Sequence, residues 1–175
     1  MSDRYYKIVS LSMASCHGGD GAWAIGVERR VAPPLEPCRH GLHVCRIEHL
    51  SRWIVGGIVL EVEIAGEIVD ERDKIVVESA TPVRVVGKLT PRLLREFACD
   101  CAERALLRAR EAGREPDPRS WAAIEVARRF ARGEATIAEA RYAAYAAYAA
   151  AAAAAAERRW QGERLLAMLG EVTRG

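Results

Sequence analysis

Hydrophobic and polar positions alternate most clearly over residues 58–64, where Ile58, Leu60, Val62 and Ile64 take every second place and Val59, Glu61 and Glu63 the others. Successive strand side chains point to opposite faces, so this segment is predicted to be a β-strand, broken at Ala65-Gly66. Residues 5–11 give an earlier strand and residues 23–27 a short second one. Residues 74–78 and 82–86 are two further candidates. Between them, Ile47, Leu50 and Ile54 have helical spacing, and Gly56-Gly57 ends that helix. Pro33-Pro34 and Pro37 force an extended approach to the segment before it. Residues 1–88 thus read as a small, mainly β domain with one helix.

The pattern changes at Leu89-Thr90-Pro91. Thr90 suits an N-cap and Pro91 the first helical turn. Leu94, Phe97, Ala98, Cys101 and Ala105 then mark an apolar helical face running to about Ala112. A polar linker with Gly113, Pro116 and Pro118 follows. Asp117 is placed to cap a second helix, with Trp121, Ile124, Ala127 and Ala131 inward and Gly133 at its end. Thr136-x-x-Glu139 is a capping box, in which each side chain satisfies the other residue's backbone N–H. A long helix is predicted from there towards Leu169, through eight consecutive alanines at 149–156. The expected class is α+β: a mainly β domain (1–88) packed on an α-helical domain (89–175) with one long alanine-rich helix.

Composition narrows the function classes. The chain has 175 residues, 50% of them hydrophobic and 29% charged, with a net charge of +2. That is an ordinary globular balance, without the basic excess of most nucleic-acid-binding domains. There are 23 arginines against 3 lysines, a usage typical of a GC-rich genome. No signal peptide is expected, and the uncharged run 142–156 is too short and too weakly apolar to span a bilayer. Five cysteines without a secretion signal point to free thiols in a bacterial cytoplasm.

Reactive side chains are densest at Cys38, His40, His43 and Cys45, around Gly41. These are zinc-ligand types, but in a continuous strand Cys38 and His40 would face away from His43 and Cys45. A turn at Gly41 would be needed to reunite them. The alternatives are a Cys45 thiolate activated by His43, or His43 and Cys45 as core residues with one hydrogen-bond partner each and His40 exposed. Glu61 and Glu63 share a strand face. They suit acid–base work or simply the wet side of a sheet. Tyr142, Tyr145 and Tyr148 recur every third residue on the long helix, as core packing or as a stripe for a partner or for self-association. Arg128 and Arg132 belong to a cationic helical surface.

Three resemblances attach to these motifs. Leu35-x-x-Cys38-x-x-Gly41-Leu42-His43-x-Cys45, then Trp53, Leu60-x-Val62-Glu63-x-x-Gly66-Glu67 and Lys74, resembles an uncharacterised domain of phage and actinobacterial proteins with a C-x-x-G-x-H-x-C element. It covers about residues 5–86 and implies a fold, not an activity. Residues 97–104, with Pro116-Asp117-Pro118-Arg119 and residues 122–134, are similar to the all-helical immunity proteins of bacterial toxin systems. Those proteins are taken to bind and neutralise a cognate toxin. The similarity implies a polar network of Arg104 or Arg119 with Glu125 or Asp117. Residues 41–44, a helix and residues 58–64 resemble, more faintly, the core of ADP-ribosyltransferase-like folds, which implies NAD held by His43 with Glu61 or Glu63.

The favoured expectation is a non-enzymatic, protein-binding immunity-like protein of a phage, mobile element or bacterial conflict system. It would need no cofactor, would not act on membranes or nucleic acid, and would be able to self-associate through the long helix. The rival is the NAD-binding enzyme. A zinc-stabilised module is compatible with either.

Overall fold

The computed structural model describes residues 4–16, 21–116, 118–139, 141 and 155–172. Strands β1 (Tyr5–Val9), β2 (Arg29–Arg30), β3 (Leu42–Val44), β4 (Gly57–Asp70) and β5 (Ile75–Leu89) occupy the first half, with a one-turn helix α1 (Ile47–Leu50) and a 3-10 turn (Ser51–Trp53) between β3 and β4. Helices α2 (Pro91–Glu111), α3 (Pro118–Arg132) and α4 (Ala155–Val172) follow. The α+β class holds, with an antiparallel sheet in the first half and helices in the second.

β4 and β5 are longer than the pattern predicts. Ala65-Gly66 does not break the strand. Between Ala65 and Ile68 β4 advances three residues while β5, from Ser79 to Val77, advances two. The surplus residue makes a β-bulge, and Gly66 supplies its positive φ of 79°. The Glu67 N–H, off the regular ladder, donates to Glu78 Oε2 at 2.9 Å. The two segments at 74–78 and 82–86 are one strand, because Pro82 sits beside another register shift, where its missing N–H costs little. Residues 23–27 are not a strand. Trp23 is buried, but the Val27 N–H donates to Ala24 O in a turn, and Ile25 and Val27 are exposed.

β1 pairs with one edge of β4 and β5 with the other, and the far edge of β5 carries β3 and β2. Tyr6 and Cys45 then exchange two 2.9 Å backbone hydrogen bonds. That bridge joins the chain just after β3 back to β1 and closes the strands into a ring. Val9, Leu42, Val44, Ile58, Leu60, Val62, Ile75 and Val77 fill its inside with Trp23. Alternate positions such as Ile8, Val59 and Val76 point outward, yet they are buried as well.

The end of the chain explains why. By compactness the molecule divides into one unit of Met1–Leu89 with Arg158–Gly175 and another of Thr90–Glu157. α4 lies so close to the sheet that a Cβ on Gly87 would come within 2.8 Å of Leu169 Cβ, and Leu165 and Leu169 are fully buried. The last helix therefore packs with the strands, although the helical pattern assigns it to the domain beginning at 89.

In the helical unit, the Leu93 N–H donates to Thr90 Oγ1 at 3.2 Å, which is the predicted cap. The buried face of α2 is rotated from the predicted one. Leu93, Phe97, Cys99, Asp100 and Ala102 are buried and Ala98 is exposed, because Cys99 and Ala102 pack on Ile124 of α3. The capping box forms as expected: Glu139 Oε2 accepts from the Thr136 N–H at 2.7 Å, and Thr136 Oγ1 from the Glu139 N–H at 3.4 Å. Most of the alanine-rich segment, including Tyr142, Tyr145 and Tyr148, lies outside the described residues.

Gly162 of α4 faces the Ile47 carbonyl so closely that a Cβ would sit 2.1 Å from that oxygen. Helix propensity alone would make Gly162→Ala stabilising by up to about 1 kcal/mol. The contact predicts the opposite, a loss of about 1–3 kcal/mol from overpacking. Urea unfolding of the two proteins checks the sign.

Candidate functional site

The Cys/His segment is shaped by a tight turn. The His40 N–H donates to Glu36 O at 2.7 Å, and the Glu36 N–H donates back to His40 O at 2.8 Å. Cys38 at the tip has a positive φ of 66°, and its N–H donates to His43 Nε2 at 3.1 Å. That bond requires an unprotonated Nε2, so a neutral His43 carries its proton on Nδ1. Gly41 has φ 134° and lies against β5. A Cβ there would fall 2.2 Å from Val76 Cγ1, so only glycine lets the turn settle on the strand.

Beneath the turn is a cavity of about 510 Å³. Its walls include Lys7, Trp23, Arg29, Cys38, His43 and Lys74. Lys7 enters from β1, sharing its direction with Val9. Its ammonium donates to His43 O at 2.9 Å and lies 5.2 Å from the centre of the Trp23 ring. The Arg29 guanidinium lies 4.8 Å from the same ring. Trp23 is fixed by its own Nε1–H, which donates to Ser15 Oγ at 2.9 Å. Burial pushes the Lys7 amine down to about 8, helped by repulsion from Arg29. At the rim, the Lys74 ammonium donates to Cys38 Sγ at 2.7 Å, a bond that holds the Lys74 titration above the usual lysine range.

The four zinc-type residues do not converge on one point. Cys38 Sγ accepts from Lys74, His40 Nε2 meets Ala32 O at 2.6 Å, and Cys45 Sγ points to Tyr6 O at 3.6 Å. Among the described residues, no group of three or more His, Cys, Asp or Glu is placed to hold a metal. Burial pushes the Cys45 thiol up to about 12, which keeps it protonated at neutral pH and makes it a poor nucleophile. The described geometry thus does not bring the four zinc-type residues together, and the nucleophile alternative lacks its thiolate.

The NAD alternative loses its carboxylate. Glu61, which is half-buried, pairs with Arg84 across the β4–β5 ladder and lies 4.0 Å from Arg4. Glu63 is exposed, and neither glutamate lines the cavity that His43 lines.

In the helical unit the pairing that bridges two helices centres on Arg128. Its guanidinium donates to Asp100 Oδ1 at 2.7 Å and to Glu103 Oε2 at 2.6 Å, tying α3 to α2. The network expected from Arg104, Arg119, Asp117 and Glu125 falls partly outside the described residues. Arg104 is half-buried on α2, Glu125 is exposed on α3, Arg119 is the second residue of α3, and Asp117 lies outside the described residues. The legible signal was Asp100, a carboxylate on the apolar face of α2. Arg132 is exposed and pairs with Glu134 at 3.0 Å.

Residues 84–161 match the model of one family, described as Imm-5 like putative immunity protein. The match runs from the end of β5 through α2 and α3, which are the elements tied by Arg128. It covers less than half of the chain and supports an immunity-like role in general. No curated protein and no solved structure matches the chain. Among the described residues, no helix of this immunity-like segment or of the rest is long and apolar enough to cross a membrane.

With only three lysines in the chain, the Lys Cε resonances are simple to assign by NMR. Lys7 is expected to titrate near pH 8 and Lys74 above the usual 10.5. A folded-state Lys7 value below the unfolded one also means that its contribution to stability rises between about pH 8 and the ordinary lysine value, as the buried charge is relieved. Arg128→Met would leave Asp100 buried without its guanidinium and should cost roughly 2–4 kcal/mol in chemical unfolding. Arg132→Met, which removes only an exposed pair, should cost less than about 1 kcal/mol.

Proposed function

We propose that this protein is an immunity-type binding protein, which captures a cognate protein toxin through its helical segment without catalysis. The observation that carries the reading is the Imm-5 like match over residues 84–161. It is supported by the Arg128 tie, which makes α2 and α3 a rigid pair able to present a fixed surface. On this reading Arg132 and the tyrosines Tyr142, Tyr145 and Tyr148 contribute to the toxin-facing surface, while Arg128 holds the helices beneath it. A phage, mobile element or bacterial conflict system is the proposed setting, from the sequence resemblance of residues 5–86 to phage and actinobacterial proteins. Self-association through the alanine-rich helix is the proposed oligomeric contact.

The test is growth of a bacterium that expresses the toxin encoded beside this gene, with and without this protein. The expected result is rescue, lowered by Arg132→Glu and Tyr145→Glu and retained by His43→Ala. Absence of rescue from any neighbouring toxin, or rescue lost in a folded His43→Ala protein, would overturn the reading.

A further inference from the structure

Cys38 and Lys74 make a contact that a helical binding surface does not use. Of the five cysteines, Cys45 and Cys99 are buried and Cys16 and Cys101 half-buried, whereas Cys38 is exposed. It sits at the tip of the 36–40 turn, and Lys74 stands at the entry to β5. Lys74 Nζ lies 2.7 Å from Cys38 Sγ. Sulfur is a larger acceptor than oxygen, and even an N–H···O bond is usually about 2.9 Å long. The pair is therefore closer than an ordinary hydrogen bond to sulfur, and one atom bonded to both would span the gap.

Each end is held by its own backbone. The Cys38 N–H donates to His43 Nε2 at 3.1 Å, and Gly41 lets the same turn settle against Val76. On the other side, the Glu71 N–H donates to Lys74 O at 3.0 Å and the Trp53 indole N–H to Asp73 O at 2.9 Å. Groups held within about 3.5 Å of each other need little further ordering to react. An ammonium against an exposed sulfur is also the setting in which cysteines act as nucleophiles. The raised Lys74 titration is the other side of that contact, since its largest cause is the bond to Cys38. Oxidation of the sulfur removes the negative charge, and with it the main influence that keeps the proton on Lys74.

We propose that Cys38 and Lys74 form a reversible oxidative cross-link through one oxygen atom, an S–O–N bridge that staples the 36–40 turn to the start of β5. The oxidant is a hydroperoxide, and two equivalents are consumed. The first transfers an oxygen to the Cys38 sulfur, giving the sulfenic acid and releasing an alcohol or water. The second transfers an oxygen to the Lys74 amine, giving a hydroxylamine with the same by-product. The hydroxylamine oxygen then bonds to the sulfenic sulfur, and the sulfenic hydroxyl leaves with the hydroxylamine proton as water. Excess thiol returns the cysteine and the amine, with water and disulfide as products. The site is independent of the toxin-binding reading of the helices.

The experiment treats the reduced full chain with hydrogen peroxide near neutral pH and follows it by intact mass and peptide mapping. The expected product gains about 14 Da, one oxygen for two hydrogens, in a peptide that joins Cys38 to Lys74 and reopens in dithiothreitol. Lys74→Arg keeps the cation but not the primary amine. It should carry Cys38 on to sulfinic and sulfonic acids with no joined peptide, and Cys38→Ser should form none either. Should a variant fail to fold, the joined peptide of the unaltered protein decides. Separate Cys38 and Lys74 peptides with whole oxygens on the sulfur would overturn the proposal. So would a disulfide from Cys38, an unreactive Cys38, or a joined peptide that dithiothreitol does not reopen.

Discussion

The β4–β5 pairing is the constraint on which the first unit depends. It runs from Gly57 opposite Leu89 to Asp70 opposite Ile75, and every other strand is hung on its two edges. Bulges within it take up the twist that so long a hairpin accumulates. Because β1 hangs on one side and β3 on the other, the sheet curls until Tyr6 and Cys45 can exchange backbone hydrogen bonds. That closure brings the Cys38–Cys45 segment over Lys7. The cavity is a product of the ring, as the inward positions near this rim carry Lys7 where the rest of the interior carries Val, Leu and Ile.

What could be read along the chain was what local chemistry decides. Thr90 with Pro91, and Thr136 with Glu139, are complete within four residues, and both form. α1 follows from the spacing of Ile47 and Leu50. The length of the strands was not legible, because Gly66 and Pro82 are breakers in isolation and tolerable beside a register shift. Nor was the cavity legible. Lys7, Trp23, Arg29 and Lys74 come from four separate stretches, and only the ring gathers them. The Cys/His motif drew notice for its side chains, yet its larger contribution is the turn geometry at Cys38 and Gly41. Asp100 was visible in the sequence, but its partner Arg128 is supplied by another helix.

The two units carry different chemistry. In Thr90–Glu157, charge is spent on holding helices together: Arg128 answers both Asp100 and Glu103, and the similarity to immunity proteins falls on this segment. In Met1–Leu89 with Arg158–Gly175, the carboxylates sit in ion pairs such as Glu61 with Arg84, Glu78 with Arg30 and Asp70 with Arg46. The cations of the cavity are held otherwise: Lys7 donates to His43 O, Lys74 to Cys38 Sγ, and Arg39 pairs with Glu36.

Partner capture by the helical segment, as proposed, would leave a mark on its backbone. Hydrogen-exchange mass spectrometry of the protein alone and with the toxin encoded beside its gene tests this most directly. The expected result is slowed exchange in peptides from residues 90–157 and unchanged exchange in those from residues 35–45. Slowing confined to residues 35–45, with the helical segment unchanged, would contradict it.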